Sequence, residues 1–399
     1  MERLMFSKLP KSESVQRIQR MFDELNANNP DWDTALVINR INQYYFTGTI
    51  QDGLLVFKRN GDVRFFVRRS FERAIDESPL SNIHPMQSYR DLLAFFDGGF
   101  GNTFIETECV PIAVMERIQK YFSIGETLPL DRIITKIRSV KSAYELGFME
   151  EAGEKHRRVL IDIVPTLLTE GMREADFMAG LYRAMVKLGH QGLIRFSSFQ
   201  AEIPIGQMGF GESTLAPTNF DGPGGMRGMS PATPSVCGDR LLRKGDLVFV
   251  DMAFGLMGYH TDKTQVYSFK GRLCDQALRL HKECMEVQKA AAALLRTGNI
   301  PSEVYAEATA SLSPELSKNF MGYNNRRAPF IGHGIGLFVD EYPVIANGFN
   351  EPLRENMVIA LEPKTGVAGV GTVGVEETYI VTGEGGRCIT GGGAEIMEI

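Results

Sequence analysis

Four carboxylates and one histidine stand out in the sequence, each beside an apolar run and a turn signal. Leu247–Asp251 is an apolar strand that closes on a carboxylate, and Gly255-Leu256-Met257-Gly258 then reads as a turn. Tyr259–Tyr267 reads as the returning strand and carries Asp262. With Leu256-Met257 at the turn centre, Asp251 and Asp262 are directly opposed across the hairpin. Opposed residues share a face with Cβ atoms ~4.5–5.5 Å apart. Two like charges that close require a cation between them, and a divalent metal is the natural candidate. A second pair follows the same logic. Met357–Pro363 is an apolar run carrying Glu362, and Thr372–Val381 is a strand carrying Glu376 across a Gly-rich turn. Between the two hairpins lies Ile331-Gly332-His333-Gly334-Ile335-Gly336-Leu337. Its glycines let the backbone pack closely around one imidazole.

Four carboxylates and a neutral histidine sum to −4, the charge that two divalent ions balance. An oxygen-rich set with one imidazole suits Mn, Co, Fe or Zn better than a soft copper site. Two such ions ~3.5–4 Å apart polarise a carbonyl and generate hydroxide near neutral pH. Each residue alone has a plainer explanation. A strand-ending Asp is ordinarily a turn residue, and a lone His is ordinarily packed in a core. The five together, in order and on two hairpins, are the specific signal.

The elements that must position them form two parts. In the first, Val15, Ile18, Phe22 and Leu25 follow helical spacing up to a stop at Pro30. Thr34–Ile38 is a short β-branched run, and Leu54–Phe57 and Val63–Val67 flank Asn60-Gly61, a hairpin signal. Alternating helices and strands to about Ile134 make this a small α/β domain, residues 1–137. Lys136–Ala143 reads as a connector into the second domain, residues 138–399, and a long amphipathic helix from Tyr144 to Leu168 follows, disturbed near Pro165. A faint repeat sets Leu167-Leu168-Thr169-Glu170-Gly171, before a helix over Glu174–Leu188, against Leu294-Leu295-Arg296-Thr297-Gly298, before a helix over Ser302–Leu312. Two related halves with a site between them describe a duplicated α+β domain.

Bulk properties exclude several classes. The 399 residues are 43% hydrophobic and 23% charged, which is ordinary globular composition with room for a large core. With 43 basic against 49 acidic residues and no basic cluster, nucleic acid is excluded as a partner class. Met1–Arg20 lacks an apolar signal-peptide core, and no apolar run reaches the ~18 residues of a membrane span. Five scattered cysteines without CxxC spacing read as free thiols in a reducing compartment, so a soluble cytoplasmic protein is expected.

At these residues the chain resembles the creatinase, prolidase, aminopeptidase P and methionine aminopeptidase family. Asp251 and Asp262 look like its two aspartate ligands, His333 like its histidine ligand, Glu362 like the glutamate before proline, and Glu376 like the last ligand. Arg138–Glu145 is similar to the connector into the pita-bread domain, and the first part resembles the creatinase-type N-terminal domain. The resemblance implies an α+β pita-bread fold, a dinuclear metal site with a bridging hydroxide, and a proton relay through Glu362. It also implies peptide substrates cleaved after the first residue, often with proline second, and a homodimer.

The departures from the family pattern are specific. Asp340 stands seven residues after His333, where the peptidases place a catalytic histidine, and residues 226–243 contain no histidine. Pro329 and Gly374 stand where a further histidine and an arginine are common. An ionised Asp340 accepts hydrogen bonds only; it titrates high, binds a cationic part of the substrate, or marks lost peptidase activity. His260 shares a face with Asp262 by the two-residue strand period, which makes it a candidate substitute proton donor. The expectation is therefore a metal-dependent hydrolase of peptide-like C–N bonds, of Xaa-Pro aminopeptidase or dipeptidase type. Its alternatives are a hydrolase or lyase of a small charged metabolite, and a non-catalytic binding module on the same fold.

Overall fold

Helix, strand and turn signals of the first unit settle around one sheet. A computed structural model of the chain describes residues 7–198, 201–392 and 395–399, so the first six residues of the N-terminal stretch lie outside it. The chain divides into units Met1–Arg138 and Ser139–Ile399. In the first, β1 (Thr34–Val37), β2 (Gly53–Lys58), β3 (Val63–Val67), β4 (Ile83–Pro85), β5 (Gly99–Ile105) and β6 (Ser123–Pro129) lie in the order β4-β3-β2-β1-β5-β6. The turn between β2 and β3 holds Gly61 at φ 92°, a left-handed value that costs glycine nothing. The first helix, α1 (Lys11–Asn28), buries a face displaced from the expected one. Met21 and Leu25 are buried, but Val15 is exposed and Arg17 is inside. Arg17 Nε donates to Glu13 at 2.8 Å and its Nη1 to the Tyr45 carbonyl at 2.6 Å, so the guanidinium is fully partnered where Val15 would have been expected. At the end of β5, buried Glu106 accepts from the backbone N–H groups of Ile38 and Asn39, at 2.6 and 2.7 Å. The start of α2 (Arg40–Thr47) is capped by Asn39 Oδ1, which accepts the Ile41 and Asn42 N–H groups at 2.9 and 3.3 Å. Further along this unit come α3 (Phe71–Glu77) and α4 (Ile112–Gln119).

The expected connector is shorter than the sequence implied, because α5 (Asp131–Ser139) takes in Lys136–Ser139 and only residues 140–142 precede the next helix. That helix, α6 (Ala143–Arg158), opens on a capping box of Ser142 and Glu145. It ends earlier than the expected Leu168. A π-turn over Val159–Ile163 and a short turn Val164–Leu167 follow. Pro165 lacks the N–H that an α-helix needs, and the wider turn before it absorbs the mismatch.

The second unit continues with α7 (Glu174–Lys187), β7 (Gly206–Phe210), β8 (Leu247–Leu256), β9 (Tyr259–Ser268), α8 (Asp275–Leu294) and α9 (Pro301–Thr309). Then come β10 (Phe330–Gly334), β11 (Glu341–Ala346), β12 (Val358–Leu361), β13 (Lys364–Val367), β14 (Gly371–Gly374), β15 (Glu377–Val381), β16 (Gly386–Cys388) and β17 (Met397–Glu398). One sheet has the order β17-β9-β8-β7 and another β11-β10-β12-β15-β16, with β13 and β14 a separate ribbon. Apolar residues of α8 (Leu280, Cys284, Val287) share a core with Phe249, Val266, Ile331 and Ile359. Leu160, Phe177 and Leu181 pack with Val248, Val250 and Phe254. The strand β8 is thus covered on both faces, which explains its near-continuous apolar sequence.

Halves of this unit repeat each other more closely than the sequence match implied. The Gly171 N–H donates to the Leu242 carbonyl, and the Gly298 N–H to the Leu353 carbonyl, both at 2.8 Å. In return Leu242 N–H donates to Met172 O and Leu353 N–H to Asn299 O. Three residues beyond each leucine comes a left-handed residue, Gly245 (φ 86°) and Asn356 (φ 67°). Nine residues beyond each comes a carboxylate, Asp251 and Glu362. The same anchor therefore starts each ligand-bearing hairpin.

On the face opposite the candidate ligands, Lys263 Nζ is hydrogen-bonded to Glu377, both at most 1% exposed. Lys263→Met strands a buried carboxylate, so the unit should lose about 3–5 kcal/mol in urea unfolding, with Lys263→Met/Glu377→Met recovering most of it. A single variant as stable as the parent would show that the pair carries no charge.

Candidate metal centre

The turn of the first hairpin lies one residue later than expected. Leu256 pairs with Tyr259, which puts Met257-Gly258 at the tip with φ values of 50° and 88°. Two left-handed residues are what a two-residue hairpin of matching twist needs. The register therefore pairs Asp251 with Thr264 and Ala253 with Asp262, so the aspartates are not directly opposed. They are offset by two residues and stay on one face as diagonal neighbours. In the second hairpin Leu361 pairs with Glu377 and Lys364 with Gly374, so the register runs unbroken across the gap and sets Glu362 against Glu376. A bridge from Thr264 to Glu376 joins the two hairpins, with the Thr264 N–H donating to the Glu376 carbonyl at 3.2 Å. His333 arrives on β10, paired with Ala360 of β12.

These five side chains converge. Ligand atoms of Asp262, His333 and Glu376 lie within 4.8 Å of one another, and all three residues are buried. His333 Nε2 is 3.4 Å from Glu362 Oε1 and 3.9 Å from Glu376 Oε1. Its other nitrogen, Nδ1, lies 3.1 Å from the Gly334 carbonyl. Donation there leaves Nε2 facing the carboxylates, where it donates to Glu362 when the ring is charged and can ligate a cation when it is neutral, the orientation of a metal-binding histidine. Asp262 is held from behind by Thr378, whose Oγ1 accepts the Asp262 N–H and donates to its carbonyl, both at 2.8 Å.

Sequence reasoning missed one residue at the heart of the cluster. Lys364 Nζ, fully buried, donates to Asp251 Oδ2 at 2.8 Å, to Glu362 Oε2 at 3.0 Å and to Glu376 Oε2 at 2.7 Å. The signal was present, since Lys364 lies two residues after Glu362 at the start of a strand and so shares its face. Gly374 opposite lets the two backbones approach closely at Lys364. A Cβ on Gly374 would stand 2.5 Å from Lys364 Cα and 3.0 Å from its Cβ.

Crowding governs the protonation of the cluster. Burial and the neighbouring Asp251 push Asp262 up to about 7. Burial and Asp262 likewise push Glu376 well above the usual carboxylate range. Burial also works against ionised Glu362, yet Lys364 and His333 outweigh it and hold the carboxyl at about 2. Burial disfavours the charged form of His333, but its contact with Glu362 prevails and raises it to about 9. Asp262 and Glu376 are thus pushed toward protonation even with Lys364 and His333 beside them. Carboxylates with one correctly presented imidazole are a donor set that fits a divalent ion.

The two other candidate catalytic residues have different surroundings. Asp340 is turned to Ser197, accepting its backbone N–H at 2.5 Å and its Oγ–H at 3.0 Å. Burial raises the Asp340 carboxyl, while Ser197 and His333 pull the other way. His260 is fully buried, with Nδ1 2.9 Å from the Gly336 carbonyl and Nε2 3.1 Å from Gln191 Nε2. Its ring nitrogens therefore face these two groups, and burial lowers its pKa to about 4. A neutral imidazole donating at Nδ1 and accepting at Nε2 is a packed histidine. Of the remaining residues, Tyr259 donates to Glu145 at 3.0 Å, and burial pushes the Cys237 thiol up to about 11.

Comparison with known proteins agrees with this architecture. Residues 147–383 match the model of metallopeptidase family M24, and residues 17–140 match the creatinase/prolidase N-terminal domain. An Xaa-Pro dipeptidase of Pyrococcus horikoshii is 22% identical, over 94% of this chain and 97% of its own. The crystal structure of the prolidase from Pyrococcus horikoshii OT3 superposes with a TM-score of 0.77 at 22% identity, covering 96% of this chain and 100% of that one. For the Xaa-Pro dipeptidase from Bacillus anthracis the TM-score is 0.78 at 19% identity, over 97% and 100% of the two chains. The expected α+β fold, a pita-bread domain preceded by a creatinase-type domain, is the one found, and the chain belongs to metallopeptidase family M24.

Proposed function

We propose that this chain is a metal-dependent hydrolase of peptide-like C–N bonds in small substrates, of the Xaa-Pro dipeptidase or aminopeptidase kind. The observation that carries the reading is the convergence of Asp262, His333, Glu362 and Glu376 on one buried point, with ligand atoms of Asp262, His333 and Glu376 within 4.8 Å. These four residues would hold a divalent cation, with Mn, Co, Fe and Zn suited to the donor set. What such an ion supplies, when bound, is Lewis acidity toward the scissile carbonyl and a lowered pKa for water. The chain's own part is positioning and proton transfer. Glu362, poised between His333 and Lys364, is the carboxylate placed to take a proton from the attacking water and return it to the leaving nitrogen. Thr378 and Thr264 orient Asp262 and Glu376 from outside the cluster. Asp340 stands in the place of a family histidine and, as an acceptor toward Ser197, ties residues 195–198 to the segment after His333. Pairing of two chains and residence in the cytoplasm belong to the same reading; the five free cysteines fit a reducing compartment.

A second reading keeps the cation and changes the substrate to a small charged metabolite. The acceptor-only carboxylate of Asp340 near His333, with no histidine in residues 226–243, favours it, because an anion there selects a cationic group.

Hydrolysis of Xaa-Pro and other dipeptides, assayed with Mn or Co, should occur and should stop on chelation. Glu362→Gln should lower kcat by about 10²–10⁴-fold. Turnover across the panel that ignores chelation would refute the metal dependence. Asp340→Asn separates the two substrate classes. Unchanged kinetics on dipeptides fits the first, whereas a KM raised about tenfold for a cationic amide at constant kcat marks the second.

A further inference from the structure

The carboxylate oxygens of the cluster divide into two compartments. On one side Glu362 Oε1 and Glu376 Oε1 face His333 Nε2, at 3.4 and 3.9 Å, together with Asp262. On the other, Glu362 Oε2, Glu376 Oε2 and Asp251 Oδ2 all face Lys364 Nζ, at 3.0, 2.7 and 2.8 Å. Both glutamates therefore present one oxygen to each compartment, as two bridging carboxylates would toward a pair of cations. One of the two cation positions is filled by the protein itself.

We propose that Lys364 is a built-in replacement for one of the two metal ions, so that the centre accepts at most one divalent cation, on the His333 side. Three oxygens that a second ion would need are already hydrogen-bonded to the ammonium. Charge agrees with the geometry. Four carboxylates carry −4, and a lysine with one divalent ion offsets three of these. Two divalent ions together with the lysine would overshoot to a net positive buried centre. Gly374, directly opposite, lets the backbone that carries Lys364 approach closely, since a Cβ there would stand 2.4 Å from the Pro363 carbonyl oxygen and 2.5 Å from Lys364 Cα. The lysine also fixes the direction of Asp251 by donating to its Oδ2 at 2.8 Å.

The proposal rests on reading the cluster as a cation site, and metal counting separates the two ideas. Purified full-length protein is equilibrated with Mn(II), freed of loose metal, and analysed by mass spectrometry for metal per chain, beside Lys364→Gly. The wild type should hold no more than one Mn, and Lys364→Gly should hold one more than the wild type. Two Mn in the wild type, or no gain in the variant, overturns the replacement. A wild type with none and a variant with one keeps the replacement while refuting the metal-dependent function above; none in either refutes both. Should the glycine variant fail to fold, anomalous diffraction from wild-type crystals soaked in Mn(II) decides. One peak beside His333 supports the proposal, and a peak at the Lys364 position overturns it.

Discussion

Acid groups cannot be crowded in a buried space without positive charge among them, and the second unit is arranged around that constraint. Asp262, Glu362 and Glu376 are each less than a tenth exposed, with the side chain of Asp251 only slightly more open. Removing a carboxylate from water costs several kcal/mol even after relaxation, and mutual repulsion adds to that cost. The structure answers with hydrogen bonds from Thr264 and with a lysine ammonium. These do not relieve the crowding fully: Asp262 remains pushed toward its protonated form by burial and Asp251, and Glu376 by burial and Asp262. A divalent ion on the His333 side would relieve the same strain by a different route, since it lowers the pKa of whatever it binds.

The scaffold that enforces this crowding is a repeated device. In each half a left-handed glycine after a helix donates to a leucine carbonyl, that leucine's N–H donates to the residue after the glycine, and the ligand strand starts from that fixed point. Backbone anchors of this kind do not depend on the side chains of the site, so the strands can hold like charges together against repulsion. Apolar packing on both faces of β8 supplies the rest, because Phe249 and Val250, just before Asp251, are buried in separate cores and the strand cannot rotate without exposing one of them.

Much of this was legible in the sequence, for physical reasons that differ by residue. Asp251, Asp262, Glu362, Glu376 and His333 announced themselves because apolar strands ending in carboxylates are rare away from turns, and the structure brings all five together. The first hairpin register was misjudged by one position at the turn, since Met257 adopts a left-handed conformation that its side chain disfavours and no composition rule flags. The error moved Asp262 from opposite Asp251 to a diagonal position without changing its face. The inward face of α1 was misplaced because Arg17 is buried through partners distant in sequence, Tyr45 among them. His260 shared the strand period with Asp262, yet its imidazole is taken by Gly336 and Gln191, contacts that no local pattern reveals. Lys364 was within reach of the two-residue period, but its meaning depends on three acceptors gathered from three stretches of the chain.

Two lysines of this unit show why the centre is a site and not another internal ion pair. Lys263 meets Glu377, and Thr390 completes that carboxylate's hydrogen bonds, so the pair closes on itself with no charge left over. Lys364 meets three carboxylates, with Asp262 beyond them, and offsets only one. Adjacent glutamates in extended backbone, Glu376 just before β15 and Glu377 at its start, thus point to opposite faces and opposite fates. One is spent on cohesion. The other keeps an oxygen 3.9 Å from His333 Nε2. Acid groups held rigidly beside an oriented imidazole, and pushed toward protonation by burial and by one another, are what recruits an external cation, because a divalent ion can take the place of the protons.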